Sequence, residues 1–88
     1  MPIKLSTSNT LFLEEFAKDL EKIPLLEKEN LKKILRQILE EKREVNIKKL
    51  RNFPLARYRL RISNYRLLFN FEDGKAIFIY CKHRKSLY

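Results

Sequence analysis

Four arginines fall within residues 57–66, RYRLRISNYR, and Arg57, Arg59 and Arg61 alternate with Tyr58, Leu60 and Ile62. Guanidinium groups crowded in this way repel one another, so the run makes most sense where a polyanion or an acidic partner gathers the charge. A guanidinium fork donates two parallel hydrogen bonds and stays charged when partly buried, which suits Arg59, Arg61 and Arg66 to phosphate recognition. The plainer reading is a solvated strand face on which arginine stems lie along apolar neighbours. Proton transfer is a separate requirement, and arginine, with a pKa above about 12, is a poor candidate for it.

The closing stretch KHRKSLY, residues 82–88, adds Lys82, His83, Arg84, Lys85 and Tyr88. His83 could titrate near neutrality or donate a structural hydrogen bond. Tyr88 could stack on a base, move a proton, or be a frayed end. An RNA strand can be cut without a metal if its 2′-hydroxyl is oriented for attack on the adjacent phosphate. Such a site needs cations around the transition state and a donor for the departing 5′-oxygen. The arginines supply the cations, and no base is obvious.

Other chemistries find little support. A single glycine rules out glycine-rich phosphate loops, and the acidic residues, concentrated in the first half, form no paired-carboxylate signature. One cysteine and one histidine leave no Cys/His metal site, so no cofactor is expected. Cys81 reads either as a small buried filler or as a thiol whose pKa is lowered by neighbouring arginines.

The elements that must position these groups follow from patterning. At 88 residues and 44% hydrophobic content, the chain reads as a single packed domain spanning 1–88. The net charge of +9 is uneven: residues 1–41 carry −1 and residues 42–88 carry +10. The basic half is therefore the one that would draw an anionic polymer. One cysteine, no signal-peptide pattern and no long apolar run predict a soluble, cytoplasmic protein with no membrane association.

Ile3 and Leu5 alternate with Lys4, predicting an edge strand over residues 2–6, and Ser6 to Thr10 offer several helix caps. Leu13, Phe16, Ala17 and Leu20, with Phe12 widening the stripe, predict a first helix ended by Pro24. Leu31, Ile34, Leu35 and Ile38 predict a second. Three strands follow, near 57–62, 65–71 and 75–82, joined by Ser63-Asn64 and Asp73-Gly74. The fold class is thus α+β, an N-terminal strand and helix hairpin covering one face of an antiparallel meander.

With two-residue turns, Tyr58 faces Phe69 and Phe69 faces Phe78. Tyr58, Leu60, Ile62, Tyr65, Leu67, Phe69, Phe71, Phe78 and Tyr80 then share the helix-covered face. Arg57, Arg59, Arg61, Arg66, Leu68, Ile77, Ile79, Cys81 and His83 share the other. This register puts Arg66 between Arg61 and Cys81, and Arg59 beside Leu68.

The order of elements, with LRNFPLARYRLRISNYRLLFNFEDG and IFIYCKHRKSLY, resembles the RelE/ParE superfamily of bacterial and archaeal toxins. The likeness is greatest to the RelE branch, in an archaeal or thermophile-like member. It implies a toxin that enters the ribosomal A site and cuts messenger RNA without a metal. It also implies restraint by a RelB-like antitoxin, with a toxin-antitoxin heterotetramer as one possible assembly. By resemblance, Arg61, Arg66 and Arg84 stabilise the scissile phosphate, and Tyr88 or His83 stacks or transfers a proton. Arg57, Arg59, Lys82 and Lys85 hold the RNA backbone. Arg59 and Arg61 stand where the family tends to carry lysines, so a proton-transfer role does not pass to them. The alternatives are a ParE-like inhibitor of DNA gyrase and a non-catalytic RNA- or ribosome-binding module.

Overall fold

The computed structural model describes residues 5–86. A 3-10 turn at Thr7–Asn9 leads into strand β1 (Thr10–Phe12), followed by helices α1 (Glu14–Glu21) and α2 (Leu25–Leu39). Strands β2 (Ile47–Lys49), β3 (Tyr58–Ile62), β4 (Tyr65–Glu72) and β5 (Lys75–His83) follow, and a second 3-10 turn spans Arg84–Ser86. The five strands form one sheet in the order β1-β5-β4-β3-β2, antiparallel except for the β1–β5 pair.

The helices bury their apolar stripes against one face of this sheet. Phe16 of α1 and Leu31, Leu35, Ile38 and Leu39 of α2 join Leu60, Ile62, Leu67, Phe69 and Phe78 in the core. Phe16 packs edge-on to Phe78, which stacks on Phe69 at 4.9 Å between ring centroids. Residues beyond α2 leave it by a tight reversal. Lys42 N–H donates to Gln37 O (2.9 Å) and Glu41 N–H to Ile38 O (3.1 Å), with Glu41 at φ 61° where glycine is usual.

Both meander turns have two residues, with Ser63 at φ 54° and Asp73 and Gly74 at φ 52° and 75°. The first hairpin keeps the expected register throughout, from Tyr58↔Phe69 to Arg61↔Arg66. The second keeps it from Glu72↔Lys75 to Phe69↔Phe78, then shifts at a β-bulge so that Leu68 faces Tyr80. Ile79 is the extra residue. Past it the side-chain alternation of β5 inverts, because one added residue turns every later side chain to the opposite face. Cys81 and His83 therefore join the helix-covered face opposite Leu67 and Tyr65, while Tyr80 and Lys82 move to the arginine face opposite Leu68 and Arg66.

The N-terminal expectations need correction. Residues 2–4 lie outside the described residues, Leu5 and Ser6 are not in a strand, and the edge strand forms at Thr10–Phe12. Ser6 to Thr10 do not cap α1. Ser6 N–H donates to Asn9 Oδ1 (2.9 Å) and Thr10 Oγ1 to Ser6 O (2.7 Å), so these polar groups close their own turn. Leu13 is the N-cap of α1, and its N–H donates to Phe78 O (3.0 Å), which holds the helix start against β5. Strand β2, in a stretch given no element above, adds a fifth strand beside β3.

Candidate functional site

The register assembles two cross-strand rows on the face away from the helices. One runs Lys48, Arg59, Leu68, Tyr80 across β2 to β5; the next contains Arg61, Arg66 and Lys82. Leu68 is fully buried yet outside the main core, so it forms an apolar floor between Arg59 and Tyr80. Charges beside such a floor act through less water than charges on an open surface, which strengthens their contact with an anion.

The arginines differ in how they meet solvent. Arg57 and Arg61 are exposed, and Arg57 N–H is fixed by Asn70 Oδ1 at 2.8 Å. Arg59 is half-buried, and its Nε has no hydrogen-bond partner among the described residues. Arg66 is only 7% exposed, and its Nη1 donates to Tyr65 O at 3.4 Å. Arg66 thus charges the face from beneath, while Arg61 is the member of its row that reaches outward.

The segment after β5 meets the Ser63-Asn64 turn. Arg84 N–H donates to Asn64 O (2.7 Å), which seats the exposed Arg84 beside the Ser63-Asn64 turn. Lys85 is exposed, and its N–H donates to His83 Nδ1 (3.2 Å). Tyr88 lies outside the described residues.

His83 does not share the arginine face. Its ring meets Tyr65 edge-on at 5.3 Å and lines a cleft of about 310 Å³ with Asp19, Lys22, Cys81 and Lys82. Glu27 Oε2 accepts the Tyr65 hydroxyl at 2.6 Å, and that bond, with burial, pushes Tyr65 up to about 12. Burial, assisted by the Asp19 carboxylate, pushes the Cys81 thiol up to about 12 despite the opposing pull of Lys82. Cys81 is therefore a protonated core residue, and the bulge that turned it inward removed it from the arginines.

Asp19 is a member of the cleft that the sequence did not single out. Its carboxylate is 9% exposed and accepts from Cys81 N–H (3.0 Å) and from Lys82 Nζ (3.2 Å). The first bond satisfies a backbone donor on the edge of β5 beyond the reach of β1; the second fixes the one lysine in the Arg61–Arg66 row. Lys48 was also missed, because its strand was. The alternation of Val45 and Ile47 with Asn46 and Lys48 was the available signal. No three His, Cys, Asp or Glu side chains gather as a metal site among the described residues.

No protein-family model and no curated protein matches the chain. Solved structures do. A chain of the RelB-RelE antitoxin-toxin complex from Methanococcus jannaschii is 31% identical, with a TM-score of 0.66, covering 89% of this chain and 94% of that one. A chain of the toxin-antitoxin complex RelBE2 from Mycobacterium tuberculosis shares the fold at 22% identity and TM-score 0.65, covering 86% and 96%.

Proposed function

The chain belongs to the RelE/ParE toxin superfamily, and from that premise we propose that it is the toxin of a type II toxin-antitoxin pair that cuts messenger RNA in the ribosomal A site. The observation that carries this reading is the cross-strand row of Arg61, Arg66 and Lys82, with Arg84 beyond it at the Ser63-Asn64 turn. Cationic groups fixed in a sheet need no rearrangement as charge builds on a phosphate, which is what electrostatic catalysis requires. Arg61 and Arg84 are the exposed groups that would touch the scissile phosphate, and Arg66 deepens the positive field behind them. Arg57, Arg59 and Lys48 line the track for the adjoining backbone, and Lys85 extends it. The reaction forms a bond from the 2′-oxygen to phosphorus and breaks that to the 5′-oxygen, with the positive charge coming from guanidinium groups and no metal required.

The partner follows from the same surface. A RelB-like antitoxin with an acidic, amphipathic segment would neutralise a face of this charge, and two such pairs could join as a heterotetramer. The likeness to the Methanococcus jannaschii chain supports an archaeal source.

Incubation of the purified protein with translating ribosomes, followed by mapping of message ends, tests the proposal. The expected result is breaks in the A-site codon that vanish when ribosomes are omitted. Binding to ribosomes without breaks would make the protein a non-catalytic module, and damage to DNA that depends on gyrase would make it ParE-like.

A further inference from the structure

The Arg61–Arg66 row holds no group of its own that can exchange a proton, and the bulge at Ile79 supplies one. It turns Lys82 onto the arginine face directly across from Arg66, and turns His83 away from it. We propose that Lys82 is the general acid that protonates the departing 5′-oxygen, and that Asp19 is its positioning residue. This rests on the reading of the protein as an endoribonuclease.

Three features of the site carry the assignment. Lys82 is the one amine in a row whose other members, Arg61 and Arg66, are guanidinium groups. Its ammonium is held by the Asp19 carboxylate at 3.2 Å and lies 5.4 Å from the Tyr80 ring centroid, at the edge of the sheet. The buried carboxylate supplies the countercharge that a third cation needs beside two others. The four-carbon stem then lets Nζ swing from Asp19 toward a phosphate held by the exposed Arg61 of the same row, as an entering anion competes for it.

The step balances within the RNA and the protein. The 2′-oxygen forms a bond to phosphorus as its proton passes to water. The bond from phosphorus to the 5′-oxygen breaks, its electron pair going to that oxygen, which takes a proton from the Lys82 ammonium. The products are a 2′,3′-cyclic phosphate and a 5′-hydroxyl. The neutral amine regains its proton from solvent, which the 34% exposure of the side chain permits.

Lys82→Arg keeps the charge and the Asp19 partner but cannot give up a proton. The test is single-turnover cleavage of ribosome-bound message by wild type, Lys82→Arg and Lys82→Gln, each checked by thermal melting. Two messages are compared: an ordinary one, and one whose scissile 5′-oxygen is replaced by sulfur, which departs without a proton. Loss of a general acid should slow Lys82→Arg about 100-fold or more on the ordinary message and leave both variants within about threefold of wild type on the sulfur message. Lys82→Arg cutting ordinary message at the wild-type rate, or a deficit that sulfur leaves untouched in both variants, overturns the assignment with the endoribonuclease reading intact. A wild-type protein that cuts neither message overturns both.

Discussion

Replacing Asp19 by alanine should destabilise the fold more than any other single change to an acidic side chain described above. Asp19 is 9% exposed and holds two donors, Cys81 N–H at 3.0 Å and Lys82 Nζ at 3.2 Å. The backbone donor has no strand beside it, since β1 pairs with β5 only as far as Phe78. Leaving that N–H buried without an acceptor costs about 1–3 kcal/mol. The ion pair contributes less, because Lys82 remains 34% exposed and can be hydrated once released; about 1 kcal/mol is its upper share. Asp19→Ala should therefore lose about 1–4 kcal/mol, on the order of 4–30 °C in melting temperature for a chain of this size. Asp19→Asn keeps an oxygen for Cys81 N–H and should lose about 1 kcal/mol, mostly the ion pair. Urea unfolding followed by circular dichroism measures both, with the slope m checked for constancy. Equal losses for the two variants would show that the charge, and not the backbone bond, is what Asp19 contributes. A loss under about 0.5 kcal/mol for alanine would refute the edge-capping argument altogether.

Other expectations follow from single positions. Gly74→Ala should cost about 1–2 kcal/mol in urea unfolding through backbone conformation alone, since φ is 75° and an added Cβ would meet nothing within 4 Å. Glu41→Gly should raise stability by about 0.5–1 kcal/mol, because glycine adopts the φ of 61° at the end of α2 without strain. Arg61→Ala and Arg84→Ala, at exposed positions, should each reduce A-site cleavage at least about tenfold with little change in melting temperature. Unchanged cleavage by either would remove that arginine from the site. Raising the pH should destabilise the protein from pH 9 upward. The unfolded Cys81 thiol ionises near 9.0 while the folded one holds its proton to about 12, so the unfolded state sheds protons first. Tyr65 acts in the same direction between 10.0 and about 12, and Cys81→Ala should blunt the earlier part of the decline measured by urea titration.

The meander was legible because its information is local. Asp73-Gly74 and Ser63-Asn64 mark their turns, and the alternation of Tyr58, Leu60 and Ile62 with arginines fixes which face is buried. The α2 stripe was legible for the same reason, through Leu31, Leu35 and Ile38. The bulge was not, since Phe78, Ile79 and Tyr80 are all strand formers and nothing in their types marks which is unpaired. That one residue decided the placement of Cys81, Lys82 and His83, so the candidate site was readable on β3 and β4 and misread on the far half of β5. Edge strand β1 was misplaced because Thr10 to Phe12 acquire their strand character from pairing with Ala76 to Phe78, more than 60 residues away. Asp19 looked like one more acidic residue on a helix surface; only tertiary packing against the β5 edge buries it.

The extra residue in β5 also makes the strand a carrier of parity. Upstream of Ile79, alternate residues serve core and surface in one phase, and downstream they serve them in the other. Removing Ile79 would exchange the two sets in one step, returning His83 and Cys81 to the arginines and driving Lys82 toward the hydrophobic side. A deletion of a single codon could thus replace an amine by an imidazole and a thiol beside the same guanidinium groups, without altering any residue that does chemistry. Repertoire in such a sheet can change by insertion and deletion as readily as by substitution.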